Sequence, residues 1–198
     1  LRAVFFIMAP AGLALAVLGE PIIRILFERG EFTSYSTAIT GSALFFYAFG
    51  LLAYGGIKLL VTAFYAMHDT MTPVKTAFIA VIVNVTFNLI LMWPMKLGGL
   101  ALATTIGAVV NFVMLFILLR KKLGDFGTGE IADSFFRVLA ASLVMAAILK
   151  ILSVAPIRSG IAGLLASIAI GLAAYIMASY VFGVKEIRDF TEWILRRR

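Results

Sequence analysis

Cysteine is absent from the 198 residues, and charge is scarce, since only 14% of the residues are Asp, Glu, Lys or Arg. The first absence excludes disulfides and thiolate metal sites and leaves the redox compartment undetermined. The second separates the chain from soluble domains, in which about 25% of residues are charged. Because 63% of the residues are hydrophobic and the mean hydropathy is +1.07, the sequence indicates an integral membrane protein.

The residues needed for hydrolysis or group transfer are also missing. His68 is the only histidine and lies in a loop, and no pair of carboxylates occurs at useful spacing within an apolar span. A glycine-rich phosphate loop with its lysine is absent, which argues against an ATPase in this chain. We therefore expect a protein that is not an enzyme, that needs no organic cofactor, and that depends on a gradient or a partner to move a substrate.

The basic residues outnumber the acidic ones by 17 to 10, which gives a net charge of +7. In a soluble chain this excess suggests nucleic acid. Here the basic residues lie between apolar spans, so we expect no nucleic-acid partner and interpret them as topology signals and contacts for anionic membrane lipids. The chain begins at Leu1 with neither methionine nor a separate signal peptide, which we interpret as a fragment of a longer protein.

Six apolar spans predict the fold. A membrane helix needs about 20 mostly apolar residues, so we expect an all-α, polytopic membrane helix bundle with six transmembrane helices. The first span, residues 3–18, is expected to be interrupted at 19–21 and extended by an apolar turn at 22–27. The others are residues 37–67, 76–93, 100–119, 135–152 and 161–182. The polar stretch 124–133 is the predicted boundary between four helices in residues 1–123 and two further helices and a tail in residues 124–198.

The positions of Lys and Arg predict the orientation of the bundle. With alternating crossings, eleven lie on the side of the amino terminus and five on the other, and Lys58 is left within a span. Because positive residues favour the cytoplasm, both termini are predicted to be cytoplasmic. The two sets are Arg2, Lys75, Arg120, Lys121, Lys122, Arg137, Lys185, Arg188, Arg196, Arg197 and Arg198, and then Arg24, Arg29, Lys96, Lys150 and Arg158.

Two asparagines interrupt the charge-free third span. Asn84 and Asn88 are four residues apart, about one helical turn, so both side chains share a face. An unpartnered amide in hydrocarbon costs about 2–7 kcal/mol, and this face therefore needs a partner. Two interpretations stay open: interhelical hydrogen bonds, each worth about 0.6–2 kcal/mol, or a cation site, since amide, hydroxyl and backbone oxygens suit a hard ion such as Na⁺. Thr104 and Thr105 of the next, antiparallel span are candidates for further oxygens.

Lys58 is the one basic residue well inside an apolar span. A lysine at the centre of a bilayer costs about 2.5–3.5 kcal/mol on insertion scales, so it should face a cavity, an acidic partner or an interface. The alternatives are a side chain that extends its amino group to the membrane surface and a cavity cation that meets an anionic substrate. Thr62 lies one turn further on and shares the face of Lys58.

Small residues dominate the sixth span, with Gly163, Ser167 and Gly171 among them. Small faces allow close approach of helices, so this span either packs tightly on the fifth or forms a groove that admits a lipid tail. The stretch after it, residues 184–198, contains alternating basic and acidic residues together with Phe190, Trp193 and Ile194. We interpret that stretch either as a short interfacial helix or as a tail that docks on a partner.

Two motifs are informative together: KLLVTAFYAMHDTMTPVK, residues 58–75, and PIIRILFERGEFT, residues 21–33, an apolar turn followed by L-F-x-x-G-x-F. Both resemble the lipid II flippases of the MurJ/MviN family, within the larger group of multidrug, oligosaccharide-lipid and polysaccharide exporters. The resemblance covers essentially all 198 residues. It implies a parent with fourteen membrane helices in two six-helix lobes and a final pair, of which this chain resembles the last six.

The family resemblance implies alternating access that carries lipid II, a lipid-linked peptidoglycan precursor, across a bacterial inner membrane. It also implies a sodium site, whose positions correspond here to Asn84, Asn88, Leu100 and Thr104. Asn88 is neutral where an acid can stand, and a further acidic ligand and a cluster of cavity arginines belong to helices that this chain lacks. The last two helices are expected to form a groove for the lipid tail, near Gly163, Ser167 and Gly171.

Other functions stay open at this stage. Within transporters, the alternative is an exporter of other lipid-linked saccharides or of drugs. In a different class, the alternative is a structural or assembly subunit that transports nothing. The expected partners are lipid II, membrane lipids and the amino-terminal part of the transporter, and Na⁺ is the one ion for which candidate ligands are present.

Overall fold

The bundle consists of long helices joined by short connections. The structure, a computed structural model, describes residues 1–154 and 160–187, and within them it contains helices and no strand. Each helix is long and apolar enough to cross a membrane, so the predicted all-α polytopic fold is confirmed. Arg158 and the predicted tail from Arg188 to the end, with Phe190, Trp193 and Ile194, lie outside the described residues. The helices are α1 (Arg2–Phe27), α2 (Ser34–Ala66), α3 (Met71–Leu123), α4 (Thr128–Val154) and α5 (Ile161–Val181).

Helix α3 contains two of the six predicted crossings. Its 53 residues would be about 80 Å long if straight, more than twice the roughly 30 Å of a hydrocarbon core. Lys96 breaks the helix with φ 50° and ψ −128°, and we call residues 71–95 the first limb and residues 97–123 the second. Contacts between the limbs join Leu91 to Gly99, Asn84 to Thr104 and Ala80 to Gly107. In these contacts the residue number falls along the first limb as it rises along the second. The limbs therefore form an antiparallel hairpin.

The turn of this hairpin is tighter than the sequence predicts. The predicted third and fourth spans end at residue 93 and begin at residue 100, yet within α3 Lys96 is the residue that leaves the helical conformation. The reason is the close approach at Gly99, where a Cβ atom would lie 2.2 Å from the carbonyl oxygen of Leu91. A glycine therefore lets the second limb begin against the end of the first.

Helix α1 is continuous where an interruption was expected. It includes both Pro10 and Pro21, although proline removes one backbone hydrogen bond. Gly19 and Ile23, on either side of Pro21, are both buried. Packing against neighbouring helices holds a proline-containing membrane helix together, so the predicted break at 19–21 was wrong.

Helix α4 begins seven residues before the predicted start of the fifth span, because the polar stretch contains a helix cap. Oδ1 of Asp125 accepts hydrogen bonds from the backbone N–H groups of Gly127, at 3.1 Å, and Thr128, at 2.9 Å. The hydroxyl of Thr128 donates to the same oxygen at 2.9 Å. These bonds satisfy amides that a helix start leaves free. The division of the chain near residue 124 stays a prediction.

Helix α1 lies at the centre of the arrangement, since it contacts α2, α4 and α5, and α2 in turn contacts α3. The hydroxyl of Tyr175 on α5 donates to the backbone carbonyl of Phe6 on α1 at 2.8 Å. One apolar cluster joins these elements through Leu18, Ala141, Met145, Leu149, Tyr175 and Ala178. A second joins α2 to the second limb of α3 through Leu60, Phe64, Leu115 and Leu119.

Ion pairs mark the end of the bundle that carries the amino terminus, which we call the basic end. Arg2 of α1 pairs with Glu186 after α5 at 2.5 Å and with Glu130 of α4 at 3.6 Å. Lys122, at the end of α3, pairs with Asp69 before α3 at 2.5 Å. These contacts bring together the chain segments that the alternating topology places on one side.

Candidate functional site

A chain of hydrogen bonds crosses the α3 hairpin and contains all four predicted sodium-site positions. Nδ2 of Asn88 donates to Oδ1 of Asn84 at 3.0 Å, one turn back along the first limb. Nδ2 of Asn84 donates across the hairpin to Oγ1 of Thr104 at 3.2 Å. The hydroxyl of Thr104 donates to the backbone carbonyl of Leu100 at 2.8 Å. The structure therefore brings these residues together as an interhelical polar cluster.

One oxygen of this cluster is unused. Oδ1 of Asn88 is buried and has no hydrogen-bond partner among the described residues, and a buried acceptor without a partner costs about 1–3 kcal/mol. The cluster also offers Oδ1 of Asn84, the Thr104 hydroxyl and the Leu100 carbonyl, all of them neutral oxygens. Such donors fit a hard cation such as Na⁺. In the described part of the chain, no group of three His, Cys, Asp or Glu residues could hold a metal.

Thr105, the other threonine proposed from the sequence, does not join the cluster. Its hydroxyl donates to the backbone carbonyl of Phe46 on α2 at 2.9 Å. One residue further along a helix turns the side chain by about 100°. Thr105 is therefore directed to α2 while Thr104 is directed to the first limb.

Asn111 is a polar residue of the same hairpin that the sequence reasoning missed. It follows Thr104 by seven residues, which is about two helical turns, so the two lie on one stripe of the second limb. Its Oδ1 is buried without a hydrogen-bond partner among the described residues. The seven-residue spacing from Thr104 was the signal that could have identified it.

Lys58 and Thr62 lie away from this cluster, on an exposed face of α2. The Thr62 hydroxyl donates to the Lys58 backbone carbonyl at 2.9 Å. Among the residues that the structure describes, no carboxylate comes within ion-pair distance of Lys58. The two residues share a face, as predicted, and the choice between a cavity cation and a surface-reaching lysine stays open.

Of the small residues of α5, Gly163 and Gly171 are buried, whereas Ala162, Ala166, Ala169 and Ala173 are exposed. A Cβ atom at Gly171 would lie 2.8 Å from a methyl group of Leu149 on α4, so this glycine permits close contact of the two helices. Gly163 is also buried, and the Ser167 hydroxyl donates to the Gly163 carbonyl at 2.9 Å. Gly171 also lines an apolar groove of about 300 Å³ between α1, α4 and α5. Of the three predicted groove residues, it is the one that lines this groove.

A clasp at the basic end was also missed, since its members are far apart in sequence. Oε1 of Glu186 accepts from Nε of Arg2 at 2.5 Å and from the Ser134 hydroxyl at 2.8 Å. Burial raises the pKa of Glu186, but hydrogen bonds from its own backbone, Ser134 and Arg2 outweigh it, so the pKa is lowered overall. The side chain of Glu186 is only 9% exposed. The clasp thus ties the segment after α5 to α1 and α4.

Long apolar helices, outward-facing apolar side chains and a half-buried polar cluster between the limbs of a hairpin define a multi-pass helical membrane protein. A family model described as "Lipid II flippase MurJ" matches residues 1–181. The chain belongs to this family. The family is described as a flippase, which is a transporter and not an enzyme.

Relatives and one solved structure agree with this assignment. The chain is 35% identical over 188 residues to a probable lipid II flippase MurJ of Rhizobium meliloti, covering 90% of the chain and 35% of the relative. It is 34% identical over 150 residues to the lipid II flippase MurJ of Burkholderia cenocepacia, covering 75% of the chain and 29% of the relative. A solved structure titled "Lipid II flippase MurJ, inward closed conformation" matches with TM-score 0.76 and 27% identity, covering 92% of this chain and 37% of that one. The chain thus spans about a third of the length of these proteins.

Proposed function

We propose that this chain forms part of a transporter that moves lipid II across the bacterial inner membrane by alternating access, driven by a gradient, for cell-wall synthesis. The observation that carries the proposal is the match of the family along residues 1–181, together with the shared fold. Because the chain spans about a third of its relatives, we propose that it acts with a further portion equivalent to the rest of their length. Its proposed partners are lipid II, membrane lipids and that portion.

We propose a Na⁺ site at Asn84, Asn88, Leu100 and Thr104. A bound cation would supply a positive charge that draws these neutral oxygens together. Asn88 would offer its unused Oδ1, and Leu100 its backbone carbonyl. Asn84 and Thr104 would turn oxygens toward the ion in place of their mutual hydrogen bond. The two limbs would then be held by shared ligands, which gives a gradient a means to favour one conformation.

We propose further roles for two regions and an orientation. Lys58 and Thr62 would line the substrate cavity, where a cation meets the phosphate groups of the substrate. The groove near Gly171, with Gly163 and Ser167 earlier on the same helix, would admit the lipid tail. The excess of basic residues at the basic end supports cytoplasmic termini.

The experiment is a chimera in which this chain replaces the matching segment of the Rhizobium meliloti relative, with which it aligns over 188 residues, in cells depleted of their own flippase. We expect lipid II to be exposed on the outer leaflet and growth to be restored. Lys58→Ala and Asn84→Ala, tested separately, should lower the exposure. Membrane levels of each protein are measured in parallel. Export of other lipid-linked saccharides without lipid II, or a correctly inserted chimera that moves neither, would favour the alternative transporter or the structural subunit.

A further inference from the structure

A large apolar cavity lies at the basic end, separate from the α5 groove. It has a volume of about 690 Å³ and is lined by α1, α2, the second limb of α3 and the start of α4. No residue that lines it also lines the α5 groove. Its size falls within the range of about 300–1,000 Å³ that is usual for small-molecule sites. The walls carry six phenylalanines, namely Phe5, Phe49, Phe112, Phe116, Phe135 and Phe136.

The aromatic wall is ordered by ring contacts. The Phe5 ring meets Phe112 edge to face at 6.2 Å between centroids and meets Phe135 at 5.2 Å. Phe49 and Phe136 are 49% and 67% exposed, so part of this aromatic wall is accessible from outside the helix bundle. An apolar opening on the surface of a membrane-spanning bundle is accessible to hydrocarbon chains.

The mouth of this cavity is cationic. Arg120 lines it together with Thr128 and Gly129 at the start of α4. The Arg120 guanidinium has no hydrogen bond or ion pair with a side chain among the described residues, although it helps to lower the pKa of Asp125, after the hydrogen bonds from Thr128. By contrast, Lys122 is engaged by Asp69. Arg120 thus lies at the edge of the apolar cavity and is available to bind an external anion.

We propose that this cavity binds an anionic phospholipid of the phosphatidylglycerol type, with its phosphate at Arg120 and an acyl chain along the phenylalanines. The charge at the mouth is complementary to a phosphate, and the interior offers almost nothing polar to a headgroup. Basic pockets between membrane helices on the cytoplasmic side are suited to anionic headgroups. A protein segment that filled the cavity would not need a free cation at its mouth.

The role of Arg120 is tested by measuring lipid binding to the detergent-purified protein by native mass spectrometry, with phosphatidylglycerol or phosphatidylcholine added. We expect one phosphatidylglycerol to bind in preference to phosphatidylcholine. Arg120→Ala should weaken that binding about fivefold, the effect of one basic residue at a membrane surface. Lys121→Ala is the matched control, since Lys121 neighbours Arg120 in sequence but does not line the cavity; it should change the binding much less.

Binding of the lipid inside the cavity is tested by placing a larger side chain there. Gly129 lines the cavity, and a Cβ atom there would meet nothing within 4 Å, so Gly129→Leu should fold and displace the acyl chain. We expect loss of the bound phosphatidylglycerol while the unfolding temperature without lipid is retained. Equal binding of both lipids, equal effects of Arg120→Ala and Lys121→Ala, or an unchanged bound lipid in Gly129→Leu would each overturn the proposal. A wild-type protein that binds no phosphatidylglycerol would overturn it as well.

Discussion

Nδ2 of Asn84 donates a hydrogen bond to Oγ1 of Thr104 across the α3 hairpin, at 3.2 Å. The two residues are twenty positions apart, one on each limb. Asn84 and Thr104 can either hold the hairpin together through this hydrogen bond or direct their side-chain oxygens toward a cation. Stability and ion dependence therefore have to be measured separately.

The contribution of this bond to stability can be measured with a double-mutant cycle of Asn84→Ala and Thr104→Val. Each change should lower the free energy of unfolding in detergent. The coupling between them should be about 0.6 kcal/mol and not above about 1.7 kcal/mol, as for other hydrogen bonds between membrane helices. Strictly additive effects would show that the two residues do not interact in solution.

Ion dependence can be measured as the shift of the unfolding temperature when NaCl replaces choline chloride. Wild-type protein should be stabilised by Na⁺, and Asn84→Ala should lose that stabilisation. Asn88→Asp adds the negative charge that the cluster lacks and should tighten Na⁺ binding about tenfold, which corresponds to about 1.4 kcal/mol. Thr105→Val is the control, since Thr105 bonds to α2 instead. An equal Na⁺ response in the wild type and Asn84→Ala would place the ion elsewhere or exclude it.

Much of the fold could be predicted because a membrane helix leaves a long apolar stretch in the sequence. The start of α5 at Ile161 matches the prediction. The start of α4 does not, because the cap formed by Asp125 recruits polar residues into the helix. The continuity of α1 through Pro21 depends on burial by other helices, which no local pattern reveals.

Helical spacing places Asn84 and Asn88 on one face and made Thr104 and Thr105 candidate partners, whereas Leu100 was named only through the family resemblance. The clasp could not be predicted, since Arg2 and Glu186 are separated by 184 positions. The sequence gives no sign that those two ends of the chain meet. The direction of Thr105 toward Phe46 likewise depends on how α2 packs on α3.

Asn111→Leu distinguishes a structural from a functional role for the unpartnered amide in the second limb. If the amide only fills space, Leu should leave the free energy of unfolding unchanged or raise it, since removing an unsatisfied polar group recovers about 1–3 kcal/mol. If Asn111 serves ion movement, transport in the chimera should fall while stability holds. Asn84→Leu is the comparison, because Asn84 has hydrogen-bond partners and should lose stability. A large loss of stability in Asn111→Leu would show that its oxygen has a partner in the complete protein.

Gly99→Ala should destabilise the hairpin, because the new methyl group would lie 2.2 Å from the carbonyl oxygen of Leu91. Overpacking of this kind costs about 1–3 kcal/mol, measured as the free energy of unfolding in detergent. Gly129→Ala is the matched control, since a Cβ atom there meets nothing within 4 Å. It should be neutral or stabilise by about 0.4–1 kcal/mol. Equal stabilities of the two variants would contradict the tight turn.

The clasp should respond to pH in a predictable direction. The pKa of Glu186 is lowered in the folded protein, whereas the pKa of a free glutamate is about 4.3. The stability that the carboxylate contributes is therefore complete above that value and is lost as the pH falls through the lower, folded-state pKa. Glu186→Gln should lower the unfolding temperature at pH 7 and approach the wild type as the medium is acidified. Glu130→Gln is the control, since Glu130 is 73% exposed and lies 3.6 Å from Arg2, and exposed pairs contribute little. A Glu186→Gln effect that stays constant from pH 7 to pH 3 would show that the clasp acts through shape rather than charge.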